Sequence, residues 1–294
     1  MPRCYPRNAH FEKKRAGNMS YTSRHLKKAI TINVILMFLS LIVLVPLWMI
    51  VINSFKDPGA AGSLNLHFPS AWQFQNYYYV FIEGKLLRAF LNSCFITFSS
   101  VFIVLSTGSL ASFIISRRKS ILTNILFIFF LFGLVAPPQI VPTVKVLQTI
   151  GIHGTYAGII LFYSGVFLPF AVLLMTGFIR SVPREIDESA IVDGCKTYYM
   201  FIKIIVPLLK PIFATTLVLI FMFVWNDFNY PLYLLRNSRM WTMPMSVFNF
   251  TSAYGNLWNY VFADLIMASM PIIIVYFFAQ NFIISGLTSG AIKG

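Results

Sequence analysis

Six stretches of this chain are apolar for long enough to cross a hydrocarbon core, and that spacing constrains the fold more than any other feature. A bilayer core about 30 Å thick is spanned by roughly 20 apolar residues in a helix. Helices suit it because backbone N–H and C=O groups there have no water to bond. The stretches cover approximately 30–52, 90–115, 122–144, 156–179, 211–235 and 260–285. Only 11% of the residues are charged, against about 25% in soluble domains. That is too few to clothe a water-facing surface, so soluble globular, disordered and collagen-like classes are excluded. The expected class is an all-α polytopic membrane protein with six transmembrane helices. The first stretch is too long for a leader h-region and no small-x-small cleavage site follows it, so a retained helix is expected.

The net charge of +14 would suit a nucleic-acid binder. Its distribution argues otherwise. Seventeen of the 23 Lys and Arg lie before the first stretch, between the second and third, between the fourth and fifth, or after the sixth. Cytoplasmic loops gather basic residues, so both termini are expected in the cytoplasm, and an even number of spans agrees. No nucleic-acid partner is needed to explain the basicity. Residues 1–29 form the basic cytoplasmic segment, 53–89 an extracytoplasmic loop and 90–285 a five-helix core. In the loop, Asp57-Pro58-Gly59 signals a turn, and Trp72, Phe74, Tyr77, Tyr78 and Tyr79 suit an interfacial helix.

Enzymatic chemistry is hard to find. No G-x-x-x-x-G-K-[ST] loop is present to cradle phosphates. His10, His25, His67 and His153 form neither HExxH nor a triad, and no G-x-S-x-G elbow occurs. Cys4, Cys94 and Cys195 are far apart and indicate neither a disulfide framework nor a metal site. Asp227 falls well inside the fifth stretch and Asp264 near the outer start of the sixth, where an interfacial position is expected. A charge at the hydrocarbon centre costs about 2.5–3.5 kcal/mol on insertion scales. Asp227 is therefore expected to bond within the bundle or line a pathway, with Asn226 and Asn229 beside it. No Lys or Arg lies deep in a stretch, which disfavours a proton-coupled carrier. Prolines 137, 138, 142, 169, 231 and 271 interrupt stretches as kinks or hinges.

The most informative segment joins the fourth and fifth stretches, 181–210. Pro183 suits a first helical position. Glu185, Asp187 and Glu188 follow, where the helix dipole favours negative charge. Gly194 suits a helix stop, since glycine adopts positive φ without penalty. A helix of about three turns is expected, lying crosswise in the cytoplasm. A second helix should begin near Thr197 and bend at Pro207 into the fifth span. Four of the nine acids lie between Glu185 and Asp193. Anionic lipid attracts bases rather than acids, so this surface suits a protein partner.

Glu188-Ser189-Ala190, Asp193-Gly194, Ile204 and Val206-Pro207 resemble the EAA motif of ABC importer permeases, approximately E-A-A-x-x-D-G-A, about nine residues, then I-x-L-P. Ser189, Cys195 and Val206 depart from it conservatively. Trp225-Asn226-Asp227-Phe228 with Pro231-Leu232 is similar to a run in the carbohydrate-uptake, maltodextrin-type branch. The ending Gly286-Leu287-Thr288-Ser289-Gly290-Ala291-Ile292-Lys293-Gly294 is similar to the tail of its second permease subunit.

This resemblance implies an importer-permease fold in a bacterial or archaeal plasma membrane. It implies half of a translocation pathway for a sugar, with a polyol or glycerol phosphate as the alternative solute. Implied partners are a second permease subunit, an ABC ATPase dimer that holds ATP and Mg, and a solute-binding protein. The chain itself would bind no cofactor. The loop helix would be a coupling helix, with Glu188 as polar anchor and Ala190 and Gly194 permitting close approach. Gly286, Gly290 and Lys293 would reach the ATPases. Taken alone, the glycines argue for a frayed end.

Overall fold

The computed structural model describes the backbone of residues 9–252 and 255–291, and the side-chain surroundings of residues 30–251 and 257–280. The elements in order are α1 (Ala9–Ser54), α2 (Pro58–Gly62), α3 (Gln75–Glu83), α4 (Leu86–Arg117), α5 (Ile121–Val135), α6 (Ile140–Thr149), α7 (Tyr156–Ser181) and α8 (Glu185–Val192). Then come α9 (Thr197–Met200), a π-turn (Phe201–Ile205), α10 (Val206–Leu208), α11 (Lys210–Asn226), α12 (Asn229–Leu234) and α13 (Trp258–Ala291). Two strands of two residues, Thr251–Ser252 and Gly255–Asn256, pair antiparallel just before α13. They are the only strands among the described residues.

Four helices are each long and apolar enough to cross a membrane: Ile30–Ser54 within α1, α4, α7 and Trp258–Gln280 within α13. A fifth candidate is a pair, Thr197–Leu208 and α11, bent by 71° at Leu209. The bend lies beyond Pro207, where it was expected, and is flanked by Pro207 and Pro211. A proline ring supplies no N–H and crowds the preceding turn. The third expected span is not continuous. Pro137 and Pro138 stop α5 after 15 residues, and α6 adds 10 more. The fifth stretch ends early, at Asn226, because Asp227 turns extended and α12 starts separately.

The bundle centres on α4 and α7. Every fourth residue of α4 from Asn92 to Ser116 (Asn92, Ile96, Ser100, Val104, Gly108, Ser112, Ser116) is buried. Ser112 Oγ donates to the Val172 carbonyl (3.2 Å) and Ser116 Oγ to that of Thr176 (3.4 Å). Both pairs are 60 residues apart, so the two helices run parallel. Small side chains let backbones approach closely in apolar surroundings, where packing rather than water release drives association. A Cβ built on Gly108 would stand 3.3 Å from the Ala171 Cβ. Gly108→Leu should therefore overpack the seam, at a cost of about 1–3 kcal/mol. Purified protein should melt earlier, while Gly165→Leu, which meets no neighbour within 4 Å, should not.

The remaining spans surround this pair. In α1, only 6% of the apolar window is buried, so its fixed part is its end. There Lys56 Nζ donates to Asn53 Oδ1 (2.9 Å) and to Asn65 Oδ1 (2.6 Å), and burial holds this ammonium below the ordinary lysine range. Asn76 Nδ2 donates to the carbonyls of Ser54 and Lys56. Asp57 Oδ1 caps α2 where the sequence suggested only a turn. Of the aromatic run, Tyr77, Tyr78 and Tyr79 lie in α3 and Trp72 and Phe74 just before it; Trp72, Phe74 and Tyr77 pack on Phe55. Asp264 is fully buried, not interfacial, and accepts from Ser246 Oγ at 2.8 and 3.0 Å. Helix α13 carries through Gly286 and Gly290, so the end is not frayed there. A helical glycine costs only about 1 kcal/mol. Lys293 and Gly294 lie outside the described residues.

Candidate functional site

Two places collect the residues singled out by the sequence, one just beyond the end of α7 and one partway along it. The first is α8. It has eight residues, about two turns rather than three, because Pro183 lies outside it and Arg184 caps it. The Gly194 N–H donates to the Ile191 carbonyl and the Cys195 N–H to that of Ala190, both at 2.9 Å, with Gly194 at φ +77°. This is a Schellman stop, and it places glycine where a Cβ would be strained. Nothing in the chain lies within 4 Å of a Cβ at Gly194.

The faces of α8 differ sharply. Glu188, Ser189, Asp193 and Gly194 are exposed, and so are Ile191 (61%) and Val192 (86%). Tyr198 and Tyr199 extend that surface onto α9. The Ser189 hydroxyl is already used, donating to the Glu185 carbonyl (2.6 Å). Ala190, however, is 4% exposed and turned into the bundle, so its small size serves packing within the chain. Asp187 is also turned inward. It pairs with Arg117 at the end of α4 (2.5 Å), and Arg117 Nη1 also donates to the Val182 carbonyl (3.2 Å). From the other side, Arg184 Nη2 donates to the Ser116 carbonyl (3.4 Å). Sequence reasoning counted Asp187 with the partner-facing acids and did not find Arg117. The signal available was only that both lie at helix ends. Ile204 is half-buried in the π-turn and Pro207 exposed on α10.

The second place is a cavity of about 340 Å³ between α7, the end of α11 and α12. Tyr163 Oη donates to Asp227 Oδ2 (2.8 Å). Asp227 Oδ1 accepts the N–H of Asn229 (2.9 Å) and of Tyr230 (3.4 Å), so this carboxylate both closes α11 and opens α12. That double role explains why the fifth helix stops where it does. Tyr230 Oη donates to the Pro138 carbonyl (2.9 Å), tying α12 to the break between α5 and α6. The ring of Phe162 lies 4.5 Å from that of Tyr230, and Phe167 stacks beside Tyr163. Asn226 and Asp227 line the cavity; Asn229 does not, and contributes its N–H. Tyr163 and Tyr230 were missed because an aromatic residue within an apolar run carries no positional signal.

Residues 80–289 match the model of a family described as binding-protein-dependent transport system inner membrane component. A melibiose/raffinose/stachyose import permease protein of Bacillus subtilis (strain 168) is 30% identical over 253 residues, 85% of this chain and 91% of that protein. A multiple sugar-binding transport system permease protein of Streptococcus mutans is 34% identical over 261 residues, 86% of this chain and 93% of the other. A solved bacterial ABC transporter involved in import of the acidic polysaccharide alginate has a chain of the same fold. It aligns with a TM-score of 0.75 at 19% identity, covering 96% of this chain and 99% of that one.

Proposed function

Because the chain belongs to the family of binding-protein-dependent transport system inner membrane components, we propose that it forms half of the pathway of an ATP-driven sugar importer and is coupled to a separate ATPase through α8. The observation that carries this reading is the exposed face of α8, Glu188, Ile191, Val192 and Gly194, held rigidly on α4 by Arg117 and Asp187. An exposed apolar patch edged by charge suits a protein partner. ATP and Mg are then held by the ATPase dimer, and a second permease subunit completes the pathway. A solute-binding protein delivers the sugar.

Six crossings agree with the direction of the helices. Because α4 and α7 run parallel, residues 118–155 must return along the bundle, and α5 with α6 is the path available. The excess of basic residues supports a cytoplasmic position for α8 and both termini. The bend at Leu209 and the break at Pro137 are the places where the spans can rock as rigid bodies. The tail around Gly286 and Gly290 would then reach toward the ATPases.

The sugar reading rests on the cavity at Asp227 and on what the relatives carry. Aromatic faces with one fixed acceptor suit a sugar, whose C–H faces stack while its hydroxyls donate. Asp227→Ala removes the partner of Tyr163 and the cap of α12. It should lower sugar uptake at least about tenfold, equivalent to ~1.4 kcal/mol. Asp227→Asn keeps one acceptor oxygen and should do less. The test is reconstitution with the second permease, the ATPase and the binding protein, measuring sugar-stimulated ATP hydrolysis and uptake. Hydrolysis indifferent to the loaded binding protein would rule the importer reading out.

A further inference from the structure

At the end of the bundle opposite α8 lies a larger cavity, about 550 Å³, and its walls are basic. Lys85 and Arg88 line it from the start of α4, and Arg239 from the 3-10 turn Ser238–Met240, which precedes a second one at Met243–Asn249. Among the described residues the one ion pair is Arg117–Asp187, so none of these three cations has an acid partner there. The buried carboxylate of Asp264 does not line the cavity and is bonded to Ser246, which does.

The cavity is built rather than incidental. Asn92 Nδ2 donates to the carbonyls of Arg239 (3.0 Å) and Trp241 (2.9 Å), pinning the Arg239 loop to α4. Asn92 Oδ1 accepts from Tyr156 Oη (2.8 Å), and the Met243 N–H donates to Ser93 Oγ (2.8 Å). Lys85 holds a positive φ of 52°, a strained choice for a residue with a side chain. Asn249 Nδ2 donates to the Gly84 carbonyl just before it (3.2 Å), and a Cβ on Gly84 would come within 2.4 Å of the Val80 carbonyl oxygen. The start of α4 adds the positive end of a 32-residue helix to the same wall.

Three exposed cations line one cavity with no acid partner among the described residues, and such a wall attracts an anion. Arginine matches a carboxylate in bidentate geometry. Trp241 provides a ring in the same wall, and the volume exceeds what one protein carboxylate would fill. We propose that this cavity binds the ionised carboxylate of an acidic saccharide, such as a uronate-containing oligosaccharide, on the extracytoplasmic side of the pathway. The proposal rests on the sugar-importer reading for the side of the membrane and for the class of ligand.

The test uses the full chain, purified in detergent together with its second permease subunit, and digalacturonate as probe. Tryptophan fluorescence should respond to digalacturonate and not to a neutral galactose disaccharide. The response should vanish in Trp241→Phe and weaken at least tenfold in affinity in Arg88→Gln and Arg239→Gln. Added salt should weaken it in the wild type. Equal responses to the acidic and neutral sugars, or unchanged affinity in both arginine variants, would overturn the proposal. So would a response to a glutamate-rich peptide in place of the uronate, which would assign the cavity to a protein segment. Failure of this binding leaves the importer reading intact if neutral sugar still stimulates ATP hydrolysis. Binding that persists in a chain whose ATPase coupling fails would separate the two in the other direction.

Discussion

Replacing Gly194 with aspartate is expected to lower solute-stimulated ATP hydrolysis and uptake by the assembled importer at least about tenfold, or ~1.4 kcal/mol, while the chain still inserts and folds. Gly194 sits at φ +77° and a Cβ there meets nothing within the chain. Aspartate is among the residues that tolerate this conformation, so the cost to the chain is no more than about 1–2 kcal/mol. The harm falls on the exposed face, where a new carboxylate joins Glu188 and Asp193. Glu188→Lys should act the same way by inverting the charge of the anchor. The measurement is hydrolysis by the reconstituted complex, with gel filtration of the variant as the folding control. If the Gly194→Asp, Glu188→Lys double variant retained full stimulation, α8 could not be the coupling element.

Arg117→Ala should damage the chain itself. Its guanidinium and the Asp187 carboxylate are 11% and 12% exposed, and removal of one leaves the other nearly buried and unpaired. Breaking a buried pair in this way costs about 3–5 kcal/mol. The Val182 carbonyl loses its Arg117 donor as well. The expected result is a clear fall in melting temperature and protease sensitivity within 181–195, even without partners. Exchanging the charges, Arg117→Asp with Asp187→Arg, should recover part of the loss. By contrast, Glu188→Ala should leave the melting temperature alone. A melt of Arg117→Ala that matches the wild type would show that α8 is held by its apolar contacts, Ala190 foremost.

Much of the architecture was legible because the bilayer leaves few alternatives. Long apolar runs and Gly194 read directly into helices and a helix stop. Three things did not. The ends of the third and fifth spans depend on where freed backbone groups find partners, and for α12 that partner is the Asp227 side chain. The α4–α7 seam is written in Ser, Gly and Val at every fourth residue, a pattern hidden within a run apolar on all sides. The inward turn of Asp187 and Ala190 depends on Arg117, 70 residues away in sequence. Acidic composition located the loop but not which acids face outward.

The small residues between α4 and α7 have a mechanical consequence. Long interlocking side chains could slide or change rotamer under load; serine, glycine and alanine against backbone cannot, and closely packed elements transmit displacement. Under the proposed coupling, a thrust on α8 would pass through Arg117 and Asp187 into α4, and α7 would travel with it. Tyr163 lies on α7, 13 residues from Thr176, or about 20 Å at the helical rise. Its partner Asp227 caps the end of α11, beyond the bend at Leu209. The Tyr163–Asp227 bond thus joins two helices, and under the proposed coupling a load on α8 would be felt there as shear across the cavity beside Asp227.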